Sequence, residues 1–151
     1  MSIQEDVELL RRIPMFTKVE PAKLKLLAFT SERIVYEPGQ DLFRQGDMAD
    51  AAYIIVDGDA DVIVDSPKGP LTVARLGKNE IIGDIGILCD VPRTATVRAT
   101  GKLITLRISK ELFFQMVSDF PSFGIEVMRV LAHRLEQTTA QLREAKSRAT
   151  A

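Results

Sequence analysis

Apolar positions in the first thirty residues recur at helical spacing. Val7, Leu9, Leu10 and Ile13 form one run closed by Pro14, and Leu24, Leu26, Leu27 and Phe29 form a second run opened by Pro21. The period changes at Glu32. From there to Ser109 the chain is a series of short apolar runs separated by turn residues. Ile34-Val35-Tyr36 stops at Pro38-Gly39, and Leu42-Phe43 stops at Gly46-Asp47. Tyr53-Ile54-Ile55-Val56 and Val62-Ile63-Val64 flank Asp57-Gly58-Asp59, a hairpin signal. Leu71-Thr72-Val73-Ala74, Thr94-Ala95-Thr96-Val97 and Leu103-Ile104-Thr105-Leu106 complete the series. Many short strands at regular spacing predict a sandwich or barrel.

The helical period returns after Ser109, which is placed to cap a helix bearing Leu112, Phe113, Met116 and Val117. Asp119-Phe120-Pro121-Ser122 is a break, and a longer helix then runs to about Lys146. The reading is an α+β fold, mainly β, in a single domain 1–151. It has N-terminal helices over 1–31, a β-roll over 32–109 and two C-terminal helices over 110–148. No internal repeat or linker interrupts it.

Composition narrows the function. The chain has 151 residues, 46% hydrophobic and 27% charged, ordinary for one globular domain with its own core. A net charge of −1 argues against direct nucleic-acid binding. One cysteine, Cys89, cannot form an internal disulfide, and with one histidine, His133, it cannot furnish a usual zinc site. Cys89 reads as a buried small hydrophobe and His133 as a solvated helix residue. The N-terminus has no secretory pattern and no run is long enough to span a membrane, so the expected location is cytoplasmic. No nucleophile motif or general-base pair is visible, and a lone histidine excludes a cupin-type metal centre, so no enzyme activity is expected.

One stretch does not read as a plain strand connection: Ile82-Gly83-Asp84-Ile85-Gly86-Ile87-Leu88-Cys89-Asp90-Val91-Pro92-Arg93-Thr94-Ala95-Thr96-Val97. Gly83 permits close backbone approach to a ligand. A short helix after it directs unpaired N–H groups at an anion, until Pro92 ends the segment. Arg93 offers parallel donors to phosphate oxygens, and Thr94 adds a hydroxyl. Asp84 is unsuited to a phosphate but suited to a sugar hydroxyl. Taken alone, Arg93 also fits a structural ion pair with Asp84 or Asp90, and Asp84 fits a helix cap.

This stretch resembles the phosphate-binding cassette of the cyclic-nucleotide-binding family, which includes the catabolite activator protein, the protein kinase A regulatory subunit and cyclic-nucleotide-gated channels. Leu42-Phe43-Arg44-Gln45-Gly46-Asp47 and Tyr53-Ile54-Ile55-Val56-Asp57-Gly58 resemble the family's glycine-punctuated strands, so the likeness covers nearly the whole chain. It implies a jelly-roll-like double-stranded β-helix that takes cyclic AMP or cyclic GMP as ligand, with no cofactor. Carried over, Gly83 and the N–H groups of Ile85 and Gly86 cradle the cyclic phosphate. Arg93 pairs with its exocyclic oxygens, Thr94 bonds phosphate or purine, and Asp84 takes the ribose 2′-hydroxyl. The chain departs from the family pattern at Asp84, where a glutamate is usual, and at Gly86, where an alanine or serine is usual and the smaller residue opens room. Ile82 is a mild change.

Val127, Val130, Leu131, Leu135, Thr138 and Leu142 give the last helix a moderate apolar stripe. The stripe either packs on the roll, or lets the helix cap the bound base, pair with a second subunit as a homodimer, or do both. Arg134 and Leu135 are the candidates for touching the base. Leu88, Phe113, Phe114 and Met116 are the contacts expected to rearrange on ligand binding. The leading expectation is a sensor acting on an unknown protein effector. Two alternatives are a roll that has lost its ligand and serves as a docking piece, and the detached ligand-binding half of a transcription regulator.

Overall fold

The computed structural model describes residues 3–150. Helix α1 (Ile3–Arg11), a 3-10 turn (Pro14–Phe16) and α2 (Pro21–Thr30) precede β1 (Glu32–Tyr36), β2 (Asp41–Phe43), β3 (Ala51–Asp57), β4 (Ala60–Ser66), β5 (Gly69–Leu76) and β6 (Ile81–Ile82). Helix α3 (Asp84–Cys89) leads into β7 (Thr96–Ala99) and β8 (Leu103–Ser109), and α4 (Lys110–Asp119) and α5 (Pro121–Thr150) follow.

The strands form two four-stranded antiparallel sheets, ordered β1-β8-β3-β6 and β2-β7-β4-β5. This is the jelly-roll arrangement, with α1, α2, α4 and α5 at the chain's two ends and α3 inserted between β6 and β7.

The hairpin expected at Asp57-Gly58-Asp59 is not formed. β3 pairs with β8 and β6, whereas β4 pairs with β5 and β7, so the chain passes from one sheet to the other at this point. Gly58 makes that passage possible: at φ +95 it lies against the Lys102 carbonyl, where a Cβ would approach to 2.5 Å. Asp-Gly marked a turn correctly but not its strand partners. The true β4–β5 hairpin turns between Ser66 and Gly69.

β3 is buried on six successive residues because its sheet is covered on both faces. Ala52, Ile54 and Val56 face the helices, in a core with Leu10, Phe16, Leu24, Leu27, Leu106, Ile108, Phe113 and Phe123. Ala51, Tyr53 and Ile55 face the roll interior, with Leu42, Val97, Ala99 and Leu103. The period-two alternation therefore sorts one strand's side chains between two cores. Each large side chain so buried contributes about 1.5–3 kcal/mol.

Phe16 of the 3-10 turn stacks on Phe123 of α5 with centroids 5.3 Å apart, and Phe113 of α4 meets Phe123 edge-on at 5.6 Å. This aromatic trio anchors the root of α5 against the N-terminal segment. Pro121, expected within a break, is the first residue of α5, where its missing N–H costs nothing. Ser109 caps α4 as expected, its Oγ accepting from Leu112 N at 3.2 Å. The apolar stripe expected along α5 divides between faces: Val127 is buried, Val130 and Leu131 pack on the core, while Leu135 and Leu142 are exposed.

Candidate functional site

A cavity of about 660 Å³ lies between the roll and α5. The 82–97 stretch forms one wall, α5 contributes Glu126, Arg129, Val130, His133 and Arg134, and the 3-10 turn closes the end nearest the N-terminal helices. Its volume falls in the range typical of small-molecule sites.

Gly83 adopts φ +83, the left-handed region open to glycine, and leads directly into α3. A Cβ there would come within 2.5 Å of Arg93 Nη1. Asp84 is the first residue of α3, and no side-chain hydrogen bond caps this helix, so Asp84 is not the cap its sequence position allowed. Asp90, at φ 53, ends the helix, and its carboxylate meets Lys110 Nζ at 3.0 Å.

Gly86 does not open room, contrary to expectation. A Cβ there would lie 2.8 Å from the Ala49 Cβ, so the loop before β3 already fills the space. Cys89, expected to be buried, is exposed at the end of the short helix.

Arg93 is fixed at both ends. Its backbone N–H donates to Asp47 O and its carbonyl accepts from Gly46 N, each at 2.8 Å. Its side chain is only 2% exposed. Nη1 donates to Gly83 O at 2.7 Å and Nη2 to Ala51 O at 2.5 Å. The guanidinium carbon sits 4.0 Å from the centre of the Phe43 ring. Its nearest carboxylate, Asp50, is 3.7 Å away and is also drawn to Arg107 at 3.2 Å. The buried Nε has no partner. Burial pulls the guanidinium pKa below its ordinary value, with nearby Tyr53 and Asp50 opposing the shift. The structural ion pairs considered from sequence, with Asp84 or Asp90, are not made: Asp84 and Asp90 pair with Arg134 and Lys110 instead.

Asp84, with its side chain 3% exposed, receives two contacts from Arg134 Nη1 of α5, at 2.9 and 3.2 Å. The structure thus joins Gly83, Asp84, Ile85, Gly86, Arg93, Thr94 and Arg134 around one cavity, with Thr94 and Ile85 exposed on its rim. Leu135 is not brought there. It is 67% exposed and is absent from the cavity wall, because one residue further along a helix turns a side chain by about 100°.

Phe43, Asn79 and His133 line the cavity and were not singled out as site residues in the sequence. His133 is exposed, as expected, yet borders the site. Asn79, at φ 72, carries a buried Oδ1 without a partner. Asparagine in a turn is the residue that best tolerates this backbone, a legible signal, whereas nothing in sequence places Phe43 beside Arg93.

A jelly roll whose glycine-led helix, buried arginine and helix-tethered acid border one cavity is the architecture of a small-molecule-binding regulatory module. The chain belongs to the cyclic nucleotide-binding domain family, whose model matches residues 33–120. It is 35% identical over 109 residues to the cAMP-dependent protein kinase regulatory subunit of Blastocladiella emersonii, across 72% of this chain and 27% of that protein. It is 28% identical over 120 residues to a lysophospholipase of Neurospora crassa, across 79% of this chain and 8% of the relative. The chain thus spans about a quarter or less of these relatives' length.

Among solved structures, a cyclic nucleotide-binding-like protein from Brucella abortus is similar, with TM-score 0.66 and 32% identity over 76% of this chain and 98% of that one. The Thermus thermophilus catabolite activator protein is also similar, with TM-score 0.78 and 25% identity over 85% of this chain and 61% of that one.

Proposed function

We propose that this chain is a cyclic nucleotide sensor that takes cyclic AMP or cyclic GMP into the cavity and reports occupancy through α5. The carrying observation is Arg93: a desolvated cation whose nearest carboxylate, Asp50, stands 3.7 Å away and is shared with Arg107, its Nε–H unpartnered, on the wall of a cavity led by a left-handed glycine. A buried cation in that state is stabilised by an incoming anion. The family of the chain supports a cyclic phosphate as that anion, and the Blastocladiella relative favours cyclic AMP. In this reading Gly83 and the N–H groups of Ile85 and Gly86 approach the phosphate, Arg93 pairs with it, and Thr94 adds a hydroxyl contact.

The Asp84–Arg134 bridge supports α5 as the output. A ribose hydroxyl at Asp84 competes with Arg134, so occupancy and helix position share one carboxylate. The ligand moves α5 only by its differential affinity for the bridged and released arrangements. The module is non-catalytic and cytoplasmic in this proposal, acts on a protein effector and contacts neither nucleic acid nor membrane. No helix among the described residues is long and apolar enough to cross a bilayer.

A homodimer through α5 belongs to the same proposal. Ile125, Met128, Leu135 and Leu142 are exposed on the face turned away from the roll and alternate at three- and four-residue spacing with Ala132 and Thr139, as a coiled-coil seam does.

Calorimetric titration with both nucleotides tests the core claim. Wild type binds and Arg93→Ala loses most of the affinity. Absence of wild-type binding at millimolar ligand favours a second reading, a ligand-free docking roll, for which Arg134's occupation of Asp84 is the specific support.

A further inference from the structure

The Gly83 and Ala51 carbonyls hold Arg93 Nη1 and Nη2 in place, but two hydrogen bonds fix an axis and restrain rotation of the guanidinium plane about that axis only weakly. One face of the plane is covered by Phe43 at 4.0 Å from the guanidinium carbon to the ring centre. Phe43 ends β2, and the β2–β7 register shifts between Asp41 and Phe43. Such a bulge re-aims a side chain, and here the ring turns toward the cassette. Tyr53 of β3 backs the ring at a centroid separation of 6.0 Å.

The stack also answers an electrostatic need. With Asp50 no closer than 3.7 Å and shared with Arg107, the negative face of the aromatic ring is a principal partner of a cation almost entirely out of water.

We infer that Phe43 is a positioning residue for the nucleotide phosphate: its ring sets the tilt of the Arg93 guanidinium, so the unpartnered Nε–H edge meets one exocyclic oxygen rather than the other. This rests on the reading above that Arg93 receives a cyclic phosphate.

The two phosphorothioate diastereomers of cyclic AMP, in which sulfur replaces either exocyclic oxygen, probe this directly. The full chain is titrated calorimetrically with cyclic AMP and with each diastereomer. Wild type prefers one diastereomer. Phe43→Leu weakens cyclic AMP about tenfold and brings the two diastereomers toward equal affinity, because a fixed plane becomes a mobile one. Phe43→Tyr, which keeps the ring, retains wild-type affinity within about twofold and retains the preference. Phe43→Met serves as a second aliphatic variant should Phe43→Leu unfold, with thermal midpoints reporting folding.

A merely structural role lowers all three affinities together and leaves their ratio intact, which would overturn the assignment. So would equal loss in Phe43→Leu and Phe43→Tyr, or equal wild-type affinity for the two diastereomers. Failure of wild type to bind cyclic AMP or cyclic GMP removes the sensor reading itself, whereas nucleotide binding with an unchanged ratio in Phe43→Leu removes only the role of Phe43.

Discussion

Gly83 concentrates two constraints at one atom. Its φ of +83 strains any larger residue, and its missing Cβ leaves the place where Arg93 Nη1 sits. Gly83→Ala therefore destabilises the fold by about 1–3 kcal/mol and displaces the guanidinium, so thermal midpoint and nucleotide affinity fall together. Gly86→Ala also meets a neighbour, the Ala49 Cβ at 2.8 Å, but at an ordinary backbone angle. It costs less stability than Gly83→Ala in the same melting experiment.

Tyr36 offers a pH handle away from the cavity. Burial, then the neighbouring Tyr53, pushes its pKa up to about 12. The unfolded phenol ionises near its ordinary value of about 10. Between those values the unfolded chain has lost a proton the folded chain retains, so stability falls as pH rises from about 10 to about 12 and is undiminished by this group below about 10. Tyr36→Phe flattens that decline in denaturant titrations across the window. At this scale the sequence exposed the residues with local signatures, such as Gly83 and Arg93. It hid pairings with a distant neighbour: Phe43 reaches Arg93 across fifty positions, and Arg134, a candidate for touching the base, finds Asp84 across the same separation.

Among the elements, α4 and α5 were readable because their signals are local. Ser109 caps its own helix, and Ser109→Ala is expected to lower stability by about 1 kcal/mol by chemical denaturation. The Asp57–Gly58 crossing was misread because residue chemistry specifies a bend, while the partner of each strand is decided by sheet closure. Cys89 was misplaced for a related reason. A small thiol is usually buried, but α3 is a single surface turn and a half whose inner positions go to Asp84, Gly86 and Ile87.

The Asp84–Arg134 bridge is the element-scale test of signalling. Arg134→Ala frees α5 beyond its aromatic root, and amide exchange over residues 130–142 quickens in the unliganded protein. If α5 is the output, saturating nucleotide changes that exchange in wild type. Unchanged protection on saturation would remove α5 from the mechanism.

For the whole molecule, family and fold were legible because the cassette pattern and the glycine-punctuated strands recur together along one chain. The division of the α5 stripe was not legible. Leucines at helical spacing look alike whether they meet the roll or solvent, and only the packing assigns Val127 to the core and Leu142 to the outside. The outward seam predicts self-association. Sedimentation of wild type gives a dimer, and Leu135→Asp gives a folded monomer with unchanged melting of the roll.

α5 runs 30 residues, about 45 Å at the helical rise, and its core packing and its bridge to Asp84 fall in the first half. From Arg134 to its end it extends about 24 Å further. Rotation by about 5° about that point sweeps the tip through about 2 Å, comparable with helix shifts that repack subunit interfaces. In the sensor proposed above, a trade of partners at the Asp84 carboxylate would therefore act on a lever, whose far tip moves far enough for another macromolecule to read.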